Sequence, residues 1–206
     1  MAGFTGFPRE ATDFFKQLET HNNREWFLAH KDVYERACRG PLKLLVAEFD
    51  ASLGASRVSR INRDMRFSRD GAPYKTYIAA GVGKHYISLS SQGLYVGTGM
   101  YKPEPATLQR FRSAIDDERS GRAMAKMVST LRRKGYQVGT HASVSSAPRG
   151  FSSDHPRIEL LRMKDIHAGK LFAPGSVLAN RRLLSRMTHV MADIEPFGAW
   201  LSRHVV

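Results

Sequence analysis

Arg57, Arg60, Arg63, Arg66 and Arg69 recur at every third position, with Asp64, Ser68, Asp70 and Lys75 among them. Guanidinium forks at this density have three chemical uses. They can clamp a phosphate or carboxylate through paired N–H donors. They can pair with Asp64 and Asp70 in a charge network that is purely structural. Or Asp64 and Asp70 can hold Mg²⁺ while Lys75 steadies a scissile phosphate, as in a metal-dependent nuclease. The third use is disfavoured, because five arginines beside two carboxylates compete with a divalent ion for them. The candidate ligand-binding set is therefore Arg63, Asp64, Arg66, Ser68, Asp70 and Lys75, joined by Arg24 from a neighbouring helix start, and the ligand class is a small phosphorylated or carboxylated anion. Within the set Asp64 is expected to orient an arginine. No residue is assigned a catalytic role, and the choice between enzyme and binder stays open.

These residues need a particular backbone to act together. Read as an extended segment, Ile61, Met65 and Phe67 point one way with Arg63, while Asn62, Asp64, Arg66 and Ser68 point the other. Asp70-Gly71-Ala72-Pro73 reads as a turn in which Gly71 supplies a positive φ, returning Tyr74, Lys75 and Tyr77 beside the arginines. Helix starts at Asn22 and at Tyr101 to Pro105 add backbone amides if they face the same edge.

Other chemistries find less support along the chain. Gly81-Val82-Gly83-Lys84 resembles a phosphate loop, but Ile78 stands where the first glycine belongs and His85 where Ser or Thr belongs. No Gly-x-Ser-x-Gly occurs, so a serine nucleophile has no elbow. The eight histidines form no His-Glu-x-x-His pattern and no tight cluster along the chain, so no metal ligands and no cofactor are predicted; Asp154-His155 is the strongest exception. Cys38 lies on a helical stripe without an activating neighbour and reads as a buried thiol.

Periodicity predicts three helices before the arginine segment. The first follows Pro8 with Ala11, Phe14, Phe15 and Leu18 inward; the second starts at Asn22 as cap, with Trp26, Phe27 and Tyr34 on its stripe; Gly40-Pro41 ends it and opens the third, closed by Gly54 in a left-handed cap. Trp26, Phe27 and Tyr34 are expected to carry this group onto the sheet. Short β-rich runs at 76–82, 85–91 and 94–101, separated by Gly83-Lys84 and Gln92-Gly93, read as an antiparallel meander. Helices from Pro105 and through Met124 to Leu131, a strand at 136–140, a polar loop at 141–156, a mixed segment at 160–172 and a helix from Ser176, bent near Pro196, complete the chain. The expected class is α+β: a central antiparallel meander, an N-terminal three-helix group, helices covering one face and a long C-terminal helix. The whole chain, 1–206, reads as a single domain, helical over about 1–55 and mixed over about 56–206.

A net charge of +13 and a pI near 10.2 favour an anionic partner. Arginine outnumbers lysine 22 to 10 and is spread over the chain, so a small anionic ligand ranks first; nucleic acid binding is expected to be weak and sequence-independent, and a structural or interaction role with no ligand is the remaining alternative. One cysteine excludes an intrachain disulfide, no apolar run suits a membrane, and the start of the chain has no leader pattern, so a cytoplasmic protein is expected. Oligomeric state is not legible.

Several motifs together carry a resemblance. Phe4-Thr5-Gly6-Phe7-Pro8, Asn22-Asn23-Arg24-Glu25-Trp26-Phe27, Arg63 to Asp70 with Pro73-Tyr74-Lys75, Gly99 to Pro105, and Pro148-Arg149-Gly150-Phe151 with Asp154-His155-Pro156 span nearly the full chain. The sequence resembles the bacterial domain-of-unknown-function family 2461. Gly71 departs from the family pattern, where a lysine is expected after the aspartate. The resemblance implies the extent of the domain and no activity, substrate or catalytic residue.

Overall fold

A computed structural model describes residues 3–64, 66 and 71–205. The chain divides into two compact units, Met1–Val96 with Leu171–His189, and Gly97–Lys170 with Val190–Val206. Its strands form a six-stranded antiparallel sheet in the order β1-β2-β3-β4-β6-β5, and the class is the expected α+β.

In the first unit, α1 (Glu10–Thr20) buries Ala11, Phe14, Phe15 and Leu18 on one stripe, the spacing that selects helix over strand. Helix α2 (Arg24–Ala29) starts one residue later than its sequence suggests. Asn23 is the cap, its side chain accepting from Trp26 N at 2.9 Å, because Asn22 is engaged elsewhere. Gly40-Pro41 does not end a helix either. From α3 (Lys31–Val33) the chain widens into a π-helical turn over Tyr34–Arg39 and runs without a break into α4 (Gly40–Leu53). An ordinary α-turn would drive the Pro41 ring into a carbonyl of the preceding turn; the wider turn relieves this, with Gly40 N donating to Glu35 O. A Cβ on Gly40 would sit 2.8 Å from that same oxygen. The cap at Gly54 has φ 93 and ψ 167, extended and positive rather than left-handed helical, a glycine conformation all the same.

Strands β1 (Arg57–Val58), β2 (Tyr77–Val82) and β3 (His85–Ser90) pair antiparallel. His85, Ile87 and Leu89 are buried while Tyr86 is exposed, so β3 presents one covered face. Helix α1 lies against β3 and α4 against β2; α2 reaches the hairpin that leads into β2 through Phe27, which corrects the expectation that its aromatic stripe carries the helices onto the sheet. Phe4 and Phe7 are buried at the start of the chain. Phe7 N donates to Leu178 O at 2.7 Å, and a Cβ on Gly6 would meet the Ala179 carbonyl, which accounts for the glycine between the two rings.

In the second unit, the end of β4 (Gly93–Met100) is followed by α5 (Pro105–Asp116) and α6 (Glu118–Arg133), which meet at a sharp corner. Asp117 caps α6 by accepting from Ser120 N at 2.8 Å. Arg157 donates to Ile115 O, Asp116 O and Glu118 Oε2, satisfying carbonyls that the end of α5 leaves open. Strand β5 (Gln137–Gly139) pairs antiparallel with β6 (Ile166–Phe172) after the short α7 (Ile158–Arg162). Helix α8 (Arg182–His204) begins later than Ser176 and continues through Pro196. It packs on the sheet where Gly198 approaches Thr98 of β4. Among the described residues no helix is long and apolar enough to cross a membrane.

Candidate functional site

Among the described residues, the two arms of the arginine segment pair with each other. Arg63 N donates to Pro73 O and Lys75 N to Ile61 O, both at 2.9 Å, around an antiparallel bridge between Asn62 and Tyr74. Gly71 has φ 69. Between this bridge and the Val58–Ala80 pair, three residues on one side face five on the other, so the ribbon kinks. Asn22 locks it in place: its amide donates to Tyr74 O at 2.9 Å and accepts from Tyr74 N at 3.0 Å, acting as a short strand edge. The Tyr74 ring stacks on Phe27 with centroids 4.1 Å apart.

Ile61 is buried and Asn62 exposed, so the alternation begins as predicted. Asp64 and Arg66 form a fork, with Arg66 Nε on Oδ1 at 3.0 Å and Nη2 on Oδ2 at 2.6 Å; the Arg66 amide also donates to Oδ1. That guanidinium, with a smaller pull from Arg60, holds the Asp64 carboxyl below its usual range. Lys75 is half-buried, and its ammonium donates to Arg60 O at 3.1 Å. Arg24 is exposed, two residues from Asn22, and so sits beside the clamp rather than within the hairpin. Ser68 and Asp70, with Met65, Phe67 and Arg69, lie outside the described residues.

The pair singled out in the polar loop separates. His155 turns inward, its Nε2 3.3 Å from Asp116 and its Nδ1 accepting from Arg157 N, whereas Asp154 faces solvent and bonds with Ser152 and Ser153. These contacts anchor the loop to the end of α5.

A second cluster had no counterpart in the sequence reading. His141, Asp165 and His167 each place one ligand atom within 4.8 Å of the others. Asp165 and His167 are two apart at the start of β6 and share a face; the Gly139–His167 register, continued by two residues, sets His141 across from Asp165. The Asp165 side chain is only 4% exposed. Burial pushes its carboxyl up, but the His141 amide at 2.8 Å, the Thr140 hydroxyl at 3.0 Å and the His141 ring at 3.2 Å, all on Oδ1, hold it below its ordinary value. Burial, with the nearby His141, holds His167 below its ordinary value against the pull of Asp165. Tyr101 stands edge-on to His141 at 5.3 Å, and Lys102 beside it takes φ 45, the one left-handed non-glycine among the described residues. Thr140 also lines a cleft of about 400 Å³ with Ser143, Arg132, Glu159 and Arg162. The signal for this cluster was present in Asp165-x-His167, which only a strand reading of that segment brings onto one face.

An α+β chain with an edge hairpin rich in arginine and a separate His–Asp–His cluster is what the geometry defines. The chain belongs to the family described as conserved hypothetical protein (DUF2461), which matches residues 10–200. No curated protein matches it.

Proposed function

We propose that the protein binds a small phosphorylated or carboxylated anion along the hairpin edge. Arg63, Arg66 and Lys75 supply the charge, Asp64 orients Arg66, Arg24 stands at the flank, and Ser68 and Asp70 belong to the same set by sequence. One observation carries the reading: between residues 57 and 75 the sequence holds six cations, Arg57, Arg60, Arg63, Arg66, Arg69 and Lys75, against two carboxylates, Asp64 and Asp70. Lys75 meets a carbonyl rather than a carboxylate, so hydrogen bonding positions it without cancelling its charge. Exposure argues the same way. The Arg66 side chain is 81% exposed and Asp64 33%, so their pair adds little to stability and its orientation of the guanidinium is the more telling consequence.

The test is a thermal-shift and calorimetric screen of pyrophosphate, nucleotides and citrate against the parent, Lys75→Gln, Arg63→Gln and Asp64→Asn. The expected result is stabilisation of the parent by one of these classes, reduced in all three variants, each of which melts close to the parent without ligand. Early melting of the variants with no response of the parent to any anion overturns the reading in favour of a structural charge network. A response confined to DNA or RNA, falling steeply between about 50 and 200 mM salt, overturns it in favour of counterion-driven nucleic acid binding.

A further inference from the structure

We infer that His141, Asp165 and His167 form a binding site for one divalent first-row transition-metal ion, with zinc the best fit to two imidazoles and a carboxylate. The site is separate from the hairpin edge and does not depend on it.

Donor atoms on one tetrahedral ion lie about 3.4 Å apart for ligand bonds near 2.1 Å. The observed spread of up to 4.8 Å therefore closes with about 1.4 Å of movement. His141 can supply that movement, since its side chain is 59% exposed and sits on the loop after β5, while Asp165 is fixed in the interior. The three bonds that fix Asp165 all fall on Oδ1; none of them uses Oδ2, which stays able to ligate while its neighbour is held. The Thr140 hydroxyl and His141 amide thereby take the part of the outer hydrogen bonds that orient a ligating carboxylate.

An ion pair between His141 and Asp165 would account for two of the three residues. It gives no reason for a second imidazole, yet the His167 ring lies 4.6 Å from that of His141. Three protein ligands leave a coordination position for water or an oxygen donor, the pattern of catalytic rather than structural zinc sites. Exposed His141 and Tyr101 mark the side from which that position is reached.

The experiment uses the full chain without a histidine tag, dialysed against chelator and titrated with Zn²⁺ by calorimetry and with Co²⁺ by visible absorption. One equivalent is expected per chain, with Co²⁺ bands of nitrogen and oxygen ligation and a higher melting temperature in Zn²⁺. Outer-shell losses alone weaken metal sites about 10–100-fold, so His141→Ala, an exposed change that leaves Asp165 in place, is expected to weaken binding by at least about that factor. Asp165→Asn gives a second reading if it folds, and His155→Ala controls for a histidine outside the cluster. Absence of a one-equivalent site, or a His141→Ala protein that binds like the parent, overturns the assignment. So does a loss shared equally by His155→Ala.

Discussion

At the scale of single residues, Glu48 shows how one carboxylate fastens the start of the chain. Its two oxygens take both terminal nitrogens of Arg181 at 2.8 and 2.9 Å, Oε1 also accepts from Phe4 N at 3.0 Å, and Arg181 donates on to Phe4 O. The Arg181 hydrogen bonds, then that of Phe4, hold the Glu48 carboxyl below its ordinary value against a smaller opposing effect of burial. A depressed carboxyl stabilises the fold fully above its unfolded value, about 4.3 for Glu, and loses that contribution as pH falls through the folded value. Glu48→Gln is therefore expected to melt below the parent at neutral pH, with the gap closing as the pH is lowered past about 4. Calorimetry across that range checks it; a gap that stays constant in acid means that Glu48 acts by packing rather than by charge.

At the scale of elements, the corner between α5 and α6 rests on a glycine. A Cβ at Gly121 would lie 1.9 Å from Ile115 O and 2.7 Å from Arg157 Nε, so backbone as well as a half-buried side chain must move. Gly121→Ala is expected to lose stability at or beyond the upper end of the ~1–3 kcal/mol typical of overpacking, despite the better helix propensity of alanine, as denaturant titration would show. Ser120, beside it, bonds the Ala114 carbonyl through its hydroxyl and receives Trp200 Nε1 on its own carbonyl, so the strain would spread to α8. Much of this level was legible in the sequence, because strand ends at Gly83-Lys84 and Gln92-Gly93, the positive φ of Gly71 and the helix start at Pro105 are written in adjacent residues. The failures have a different physical origin. Asn22 looks like a cap until a strand 52 residues away claims its amide, and Gly40-Pro41 looks like a break unless the preceding turn can widen. His141 and Asp165 are 24 residues apart, and their meeting depends on the pairing of β5 with β6, which no local pattern specifies.

At the scale of the molecule, the charge of +13 makes a field, while sites are made by the places where that field is left unbalanced or where ligands converge. The hairpin edge and the His–Asp–His cluster lie in different units, so a substitution that removes either proposed function is expected to leave the other intact. The chain also carries its own stopwatch. Cys38, the only cysteine in the sequence, is fully buried in the π-helical turn with its Sγ 3.6 Å from Ala11 O, and burial pushes its thiol far above the usual range. A disulfide reagent cannot reach it until α1 and that turn part, so the labelling rate measures an opening equilibrium with no engineered probe. Labelling is expected to be orders of magnitude slower than that of an unfolded thiol and, if openings reclose quickly, first order in reagent. Comparing its free energy with that of global unfolding then tells whether the N-terminal helices let go first or only when everything does.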